Sequence, residues 1–289
     1  PLSFQPSELV KIAFILAGAA TLDRLFAKRN LIFTILFSAY CVGCLALMSD
    51  FGTALIFFVA FLCIAFLRTG DLPSIVMITA AAGFAGGIVL RFKPYVLARF
   101  AVWRHAWEYA QEEGYQQTRT MSAVASGGLF GAGPEEAWLK YVGAANTDLV
   151  FGVVSEEFGL LLALCAAAAV ILLGIYALRA AGRSRSSFYA IAACATAAML
   201  VFQTTLNVLG SVDLLSLTGV TFSFVSMGGS SMLSCWGLLA YLQAAAPPPV
   251  SVKAAPKAPA PAVKPPQATG FLDELGVATD DIFGKEDAR

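Results

Sequence analysis

Charge is what this sequence has least of. It carries 19 Lys and Arg, 19 Asp and Glu and a single His in 289 residues, 13% charged, with no net charge at pH 7. Soluble domains carry about 25% charged residues, so most of this chain is built to avoid water. With 58% hydrophobic residues and a mean hydropathy of +0.74, it reads as an all-α polytopic membrane protein. Basic residues are too few and too scattered to form the stripe that nucleic acid requires, so no nucleic-acid partner is expected. Cysteine is also sparse: the six lie within apolar stretches, where a thiol behaves as a small hydrophobe, and this argues against a disulfide scaffold. Cys41 and Cys44 form a CxxC with neither a second pair nor a His near it in sequence. An initiator Met and a signal-like start are lacking as well, so the chain is read as part of a longer protein.

What is present is a series of runs free of charge, at 31–48, 51–67, 72–90, 158–178, 186–212 and 214–252. A spanning helix needs about 20 mostly apolar residues, and the last run is expected to span over 220–246. A seventh candidate, 7–22, is interrupted by Glu8 and Lys11, which brings the expectation to about seven spanning helices. Cytoplasmic loops are rich in Lys and Arg. Arg24, Lys28 and Arg29, then Arg68, then Arg179, Arg183 and Arg185 alternate with loops bearing Asp50 and Asp213. The alternation puts the 91–157 segment outside and the C-terminus in the cytoplasm. That segment holds 14 of the 38 charged residues, and a long loop in a compact domain is the first place to look for chemistry. After residue 246 the composition changes: eight of the 13 prolines fall in 247–266, as expected of an extended linker, and a weakly amphipathic acidic piece follows at 271–283.

Several constellations stand out. In Asn146-Thr147-Asp148 followed by Ser155-Glu156-Glu157, three carboxylates cluster at the outer mouth of a span. If a helix starts near Asp148, then Asp148 and Glu156 line one side, about 12 Å apart. Capping would account for one acid at such a helix start. It would not account for Glu156 and Glu157 further in, at the membrane boundary, where ionisable groups mark function. Glu8 and Lys11, at i and i+3 after a Ser7 able to cap, are either a structural pair or part of a site. The glycine-rich stretch from Gly127 to Gly133 has Pro134 where a nucleotide-binding loop needs Lys. It is either a plain turn or a set of N–H groups open to an anion. Ser226 to Ser231 and the pair Gln203 and Asn207 fit close helix packing and interhelical hydrogen bonds. Trp103, His105 and Trp107 suggest an interfacial amphipathic helix.

Together these residues resemble the SEDS family of bacterial membrane proteins, the group that contains RodA, FtsW and SpoVE. Gln5-Pro6-Ser7-Glu8-Leu9-Val10-Lys11 matches its QPSELxK element, and Asp50-Phe51-Gly52-Thr53-Ala54 resembles its PDLGTA. Gly114-Tyr115-Gln116 and Ser126 to Gly133 resemble its YQ and SGGLxGxG elements. Thr147 to Phe151 with Glu156-Glu157-Phe158-Gly159 resembles its TDFIF and EELG, and Ser226 to Ser231 its SYGGSS. The chain departs from the pattern at Gly143 to Asn146, at Ser49, at Met227, and in having Glu108 to Glu113 where the family has DP.

The resemblance implies a fold of about ten spanning helices, about three of which would precede Pro1. Residues 1–246 would form the membrane domain, with 91–157 as its large extracytoplasmic loop and 247–289 as a disordered cytoplasmic tail. It implies a peptidoglycan glycosyltransferase that polymerises lipid II, inverting the donor sugar, beside a class B penicillin-binding protein. The family's catalytic acid falls on Asp148, and supporting positions fall on Glu8, Lys11 and Glu156. Growing charge on the pyrophosphate leaving group calls for a cation or N–H donors: Lys11, Arg119, a divalent metal (Mg or Mn), or the glycine loop. The competing readings are a lipid-linked sugar flippase and a non-catalytic scaffold. The 289-residue chain on its own is expected to be inactive.

Overall fold

The computed structural model describes residues 5–20, 27–92, 94–184 and 186–246. The expected tail at 247–289, its 271–283 segment, the loop residues Arg24 and Arg185, and the side chains of Lys28 and Arg29 lie outside the described residues. Among the described residues the secondary structure is helical throughout. The helices are α1 (Pro6–Ala20), α2 (Ala27–Leu47), α3 (Phe51–Thr69), α4 (Leu72–Phe92), α5 (Pro94–Val102), α6 (Tyr115–Gly127), α7 (Val150–Phe158), α8 (Leu160–Arg183), α9 (Ser187–Ser211) and α10 (Gly229–Ala245). A 3-10 turn at Leu139–Tyr141 lies between α6 and α7.

Among the described residues, α3, α8 and α9 are long and apolar enough to cross a membrane, and shorter apolar stretches occur at Phe33–Leu47 and Leu72–Ile88. Local chemistry sets the helix ends. Asp50 accepts a hydrogen bond from Thr53 N (3.1 Å) to start α3, and Gly70, at φ +64°, ends it by donating to Phe66 O. At α1, Pro6 takes the first helical position, where its missing N–H costs nothing. Ser7 is therefore not the cap that its place in the sequence suggests, and its hydroxyl is buried without a partner among the described residues.

The centre of the bundle is α9, which packs against α1, α3, α8 and α10. Alanine and glycine line much of this contact: Ala163, Ala167 and Ala177 of α8 and Ala192, Ala193 and Ala195 of α9 are buried, and a Cβ on Gly174 would lie 2.7 Å from Val201. Small residues let helix backbones approach closely where lipid supplies no hydrophobic drive. Larger groups, Phe14, Ile15, Ile56, Phe57, Met199, Leu200 and Leu238, fill the remaining interior.

Three sequence expectations are corrected. The helix expected from near Asp148 begins at Val150, stops, and restarts at Leu160 after Gly159 at φ +95°. The break exists because the glycine loop packs into it: a Cβ on Gly159 would meet Leu129 O at 2.3 Å, and one on Gly127 would meet Ser155 O at 2.2 Å. The last helix does not begin at 220; residues 212–228 are non-helical and α10 starts at Gly229. Trp103, His105 and Trp107 lie in turns beyond α5 rather than on a helix, and Trp103 Nε1 donates to Leu214 O (3.1 Å).

The glycine loop yields a first prediction. Gly131 sits at φ +87°, and a Cβ there would lie 2.4 Å from Glu157 O, so Gly131→Ala meets both a forbidden backbone region and a backbone clash. A loss of about 1–3 kcal/mol is expected, read as a lower melting temperature together with faster proteolysis within 91–157.

Candidate functional site

The site is organised by the non-helical segment before α10. Non-helical backbone packed among helices must have its polar groups satisfied by partners from elsewhere, and α9 supplies the donors. Gln203 Nε2 donates to both Thr221 O (3.0 Å) and Thr221 Oγ1 (2.9 Å). One turn further on, Asn207 Nδ2 donates to Val220 O (2.8 Å). Next along the segment, Gly219 at φ +68° brings its backbone against Asp148: a Cβ there would lie 3.3 Å from Asp148 Oδ2. Beyond it, Leu217 O accepts from Arg99 Nη1 of α5 (3.2 Å). Gly52, in the first turn of α3, is pressed against Thr218 and Val220. One stretch of five residues, Leu217 to Thr221, thus gathers α3, α5, α9 and the Asp148 loop.

Asp148 is held from its backbone. Three successive carbonyls each accept one bond: Asn146 O from Met227 N (2.8 Å), Thr147 O from Ser226 Oγ (2.6 Å), and Asp148 O from Asn207 Nδ2 (2.8 Å). Asp148 N donates to Ala144 O (2.9 Å). The carboxyl itself is half-buried, and burial raises its pKa above the ordinary 3.8. A hydrogen bond from Thr147 and the positive charge of Arg99 oppose that shift, and the negative charge of Asp50 adds to it. The result is a positioned carboxyl group that holds a proton more readily than an ordinary aspartate, flanked by one cation and a second carboxylate.

The other expected site residues are placed as follows. Lys11 Nζ donates to Glu8 Oε1 (2.8 Å) and to Gln203 Oε1 (2.8 Å), and both charged residues are almost wholly buried. They connect to the Asp148 loop through α9, where Gln203 and Asn207 lie one turn apart. Glu156 does not share a helix face with Asp148: it turns to the 3-10 turn, where its two oxygens accept from Trp138 N (3.1 Å) and Leu139 N (2.9 Å). Arg119 lies over the Tyr115 ring, 5.1 Å from its centroid. In the glycine loop, Ala132 N donates to Glu156 O (2.8 Å) and Gly133 N to Glu157 O (3.2 Å), while Gly128 O and Leu129 O accept from Leu160 N and Leu161 N. The N–H groups of Gly131, Ala132 and Gly133 are thus committed to backbone carbonyls, which fits the structural reading of this part of the loop.

Glu156 carries the second prediction. Its replacement by Ala leaves the buried Leu139 N–H without a partner, at a cost of about 1–3 kcal/mol. Amide exchange at Leu139 and Trp138 is expected to accelerate, whereas Glu156→Gln, which keeps one acceptor, is expected to fall between.

Sequence reasoning missed Arg99 and Gly219. Arg99 is one basic residue among the 14 charges of its segment, and Gly219 belongs to no signal at all. Gln203, Asn207 and Ser226 are legible as polar groups in apolar runs; Gln203 makes the expected interhelical bond, to Lys11 of α1, while its other partner and those of Asn207 and Ser226 lie in loops.

A family model described as cell cycle protein, FtsW/RodA/SpoVE, matches residues 1–247. The chain is 31% identical over 248 residues to a probable peptidoglycan glycosyltransferase FtsW of Pseudoalteromonas translucida, covering 81% of this chain and 61% of that protein. It is 28% identical over 264 residues to the corresponding protein of Bacillus subtilis, covering 83% and 64%, and 30% identical over 262 residues to the peptidoglycan glycosyltransferase RodA of Mycobacterium leprae, covering 83% and 55%. The chain therefore spans less than two thirds of the length of these curated relatives. A solved structure, described as the structural coordination of polymerization and crosslinking by a peptidoglycan synthase complex, superposes with a TM-score of 0.65 at 25% identity, covering 85% of this chain and 70% of that one.

Proposed function

The chain belongs to the FtsW/RodA/SpoVE family of membrane proteins, and from that premise we propose that it serves as a peptidoglycan glycosyltransferase, polymerising lipid II into glycan strands for the cell wall beside a class B penicillin-binding protein. The observation that carries the reading is the clasp on residues 146–148, which holds a carboxyl group of raised pKa at the edge of the helical bundle. In this proposal about seven helices of the chain span the membrane, the 91–157 segment faces outward where the lipid-linked sugar lies, and 247–289 is a cytoplasmic tail.

In the reaction, Asp148 takes the proton from the acceptor sugar's 4-hydroxyl as that oxygen attacks the donor's anomeric carbon. The bond to the pyrophosphate breaks on the opposite side, so the anomeric centre inverts. A base is most effective when its pKa approaches the working pH, and burial moves Asp148 in that direction. Arg99, with Arg119 on α6 of the same segment, is assigned to the charge growing on the pyrophosphate. Lys11 is less suited, because Glu8 and Gln203 already occupy its ammonium; Glu8, Lys11 and Glu156 support the site by fixing α1 and the 3-10 turn.

A divalent cation, Mg or Mn, belongs to this proposal. Such ions take one or two protein carboxylates together with substrate phosphate oxygens, and Asp50, near enough for Asp148 to feel its charge, is the residue that would hold it. When bound it would neutralise charge on the leaving pyrophosphate. Among the described residues no group of three or more His, Cys, Asp and Glu is gathered, so the substrate would complete the ligand set.

The test is conversion of lipid II by the full-length protein with its penicillin-binding partner and Mg or Mn, followed by gel separation of glycan chains. Polymer is the expected result. Movement of lipid II across vesicles without polymer would favour a flippase, and partner binding with neither activity would favour a scaffold.

A further inference from the structure

The tip of the glycine loop carries two large apolar side chains left largely uncovered among the described residues: Leu129 is 62% exposed and Phe130 83%. A loop in water would not keep such a pair without a reason. Its position supplies one. Gly128 O and Leu129 O accept hydrogen bonds from Leu160 N and Leu161 N, so the tip is tied to the first turn of the spanning helix α8. The charge-free part of α8, 160–178, is about 28 Å long at 1.5 Å per residue, close to the hydrocarbon layer's thickness of about 30 Å. Glu156 and Glu157 precede this run and Arg179 follows it, so Leu160 and Leu161 lie at the edge of the hydrocarbon. Phe158 and Leu161, beside the tip, are likewise exposed.

Under the tip is a groove of about 440 Å³ lined by Met121, Val124 and Ala125 of α6, Gly128 and Leu129 of the loop, Leu160 and Val212. No charged side chain lines it. Consecutive spans run in opposite directions, so the start of α8 and the end of α9, where Val212 follows Ser211, share one membrane face. The groove therefore opens between two helix ends at the same boundary, next to an exposed Phe.

We propose that the Leu129–Phe130 tip and the groove it roofs seat the acyl chain of a phospholipid from the leaflet facing the 91–157 segment. Phe130 inserts at the headgroup–acyl boundary, as the apolar Phe and Leu side chains of interfacial segments do, and the acyl chain fills the groove. The consequence is mechanical: the 91–157 segment, which carries Asp148, is anchored to the membrane surface at a second place besides its helix ends.

The test uses the full-length protein in vesicles of phosphatidylethanolamine and phosphatidylglycerol, with the photoreactive p-benzoylphenylalanine placed singly at Phe130, at Met121 in the groove, and at Leu172, an exposed mid-α8 position that serves as the lipid-facing reference. Light-dependent adducts with the mass of a phospholipid at 130 and 121, in yields comparable to 172, are expected. Lipid adducts at 172 without any at 130 would overturn the proposal, as would adducts at 130 that join only a protein chain. Lipid at 130 but not at 121 would refute the seat in the groove. All of these readouts are independent of glycan synthesis.

Discussion

Replacing Asp148 with Asn is expected to abolish glycan polymer in the full-length protein while leaving lipid II binding intact. Asn keeps the size of the side chain, and the three carbonyl bonds that hold residues 146–148 come from the backbone. The fold should therefore survive and only the proton acceptor be lost. General base catalysis contributes about 10²–10⁴-fold, so a fall of at least that order is expected, measured as initial rate with lipid II binding followed separately. The pH dependence adds a test that a merely structural Asp148 would not meet. A base works deprotonated, so the rate should rise as pH climbs through the Asp148 pKa. Burial, the largest influence, raises that pKa, so the acidic limb should lie above the 3.8 of an ordinary aspartate. Arg99→Gln removes a positive charge that favours the carboxylate and should shift the limb to higher pH.

The second large effect is expected at Lys11. Lys11→Met leaves the Glu8 carboxylate buried without its cation and Gln203 Oε1 without its donor. Removing one partner of a buried pair costs about 3–5 kcal/mol, because the charge that remains has neither water nor partner. Glu8 is already incompletely satisfied, since its Oε2 has no partner among the described residues, so relief from that quarter is absent. The double replacement Glu8→Leu with Lys11→Met removes both charges and should recover most of the loss. The measurement is thermal unfolding of both variants in one detergent. If the single variant were as stable as the parent, the pair would carry no structural role. Recovery of stability in the double variant without recovery of polymer formation would assign the pair a part in the site beyond holding α1 to α9.

Much of this protein can be read from its one-dimensional pattern. The charge-free runs gave the positions of α2, α3, α4, α8 and α9 because the low-dielectric interior of a bilayer excludes unpaired charge over the full length of a helix, and that exclusion is written residue by residue. Glu8 and Lys11 stood out for the same reason, as a charge pair where none is cheap. The residues most dependent on partners far along the chain stayed hidden. Glu156 reads as a second site acid at the mouth of a span, yet its oxygens serve two N–H groups 17 and 18 residues earlier. Ser226 reads as a helix-packing residue, yet it donates to Thr147, 79 residues away.

Sequence by itself determined that the chain is a helical membrane protein, where its apolar helices lie, and that Asp148 is the acid to examine, the last through resemblance. Only the tertiary structure decided that the final apolar run stays unwound before α10, that Gln203 and Asn207 satisfy its carbonyls, and that Arg99 and Asp50 set the charge around Asp148. The physical reason is one of range. Hydrophobic burial acts on each residue through its own side chain and leaves a local periodic trace, whereas a carbonyl can forgo its helical partner only if another donor arrives from elsewhere in the chain, and no local pattern records that arrival.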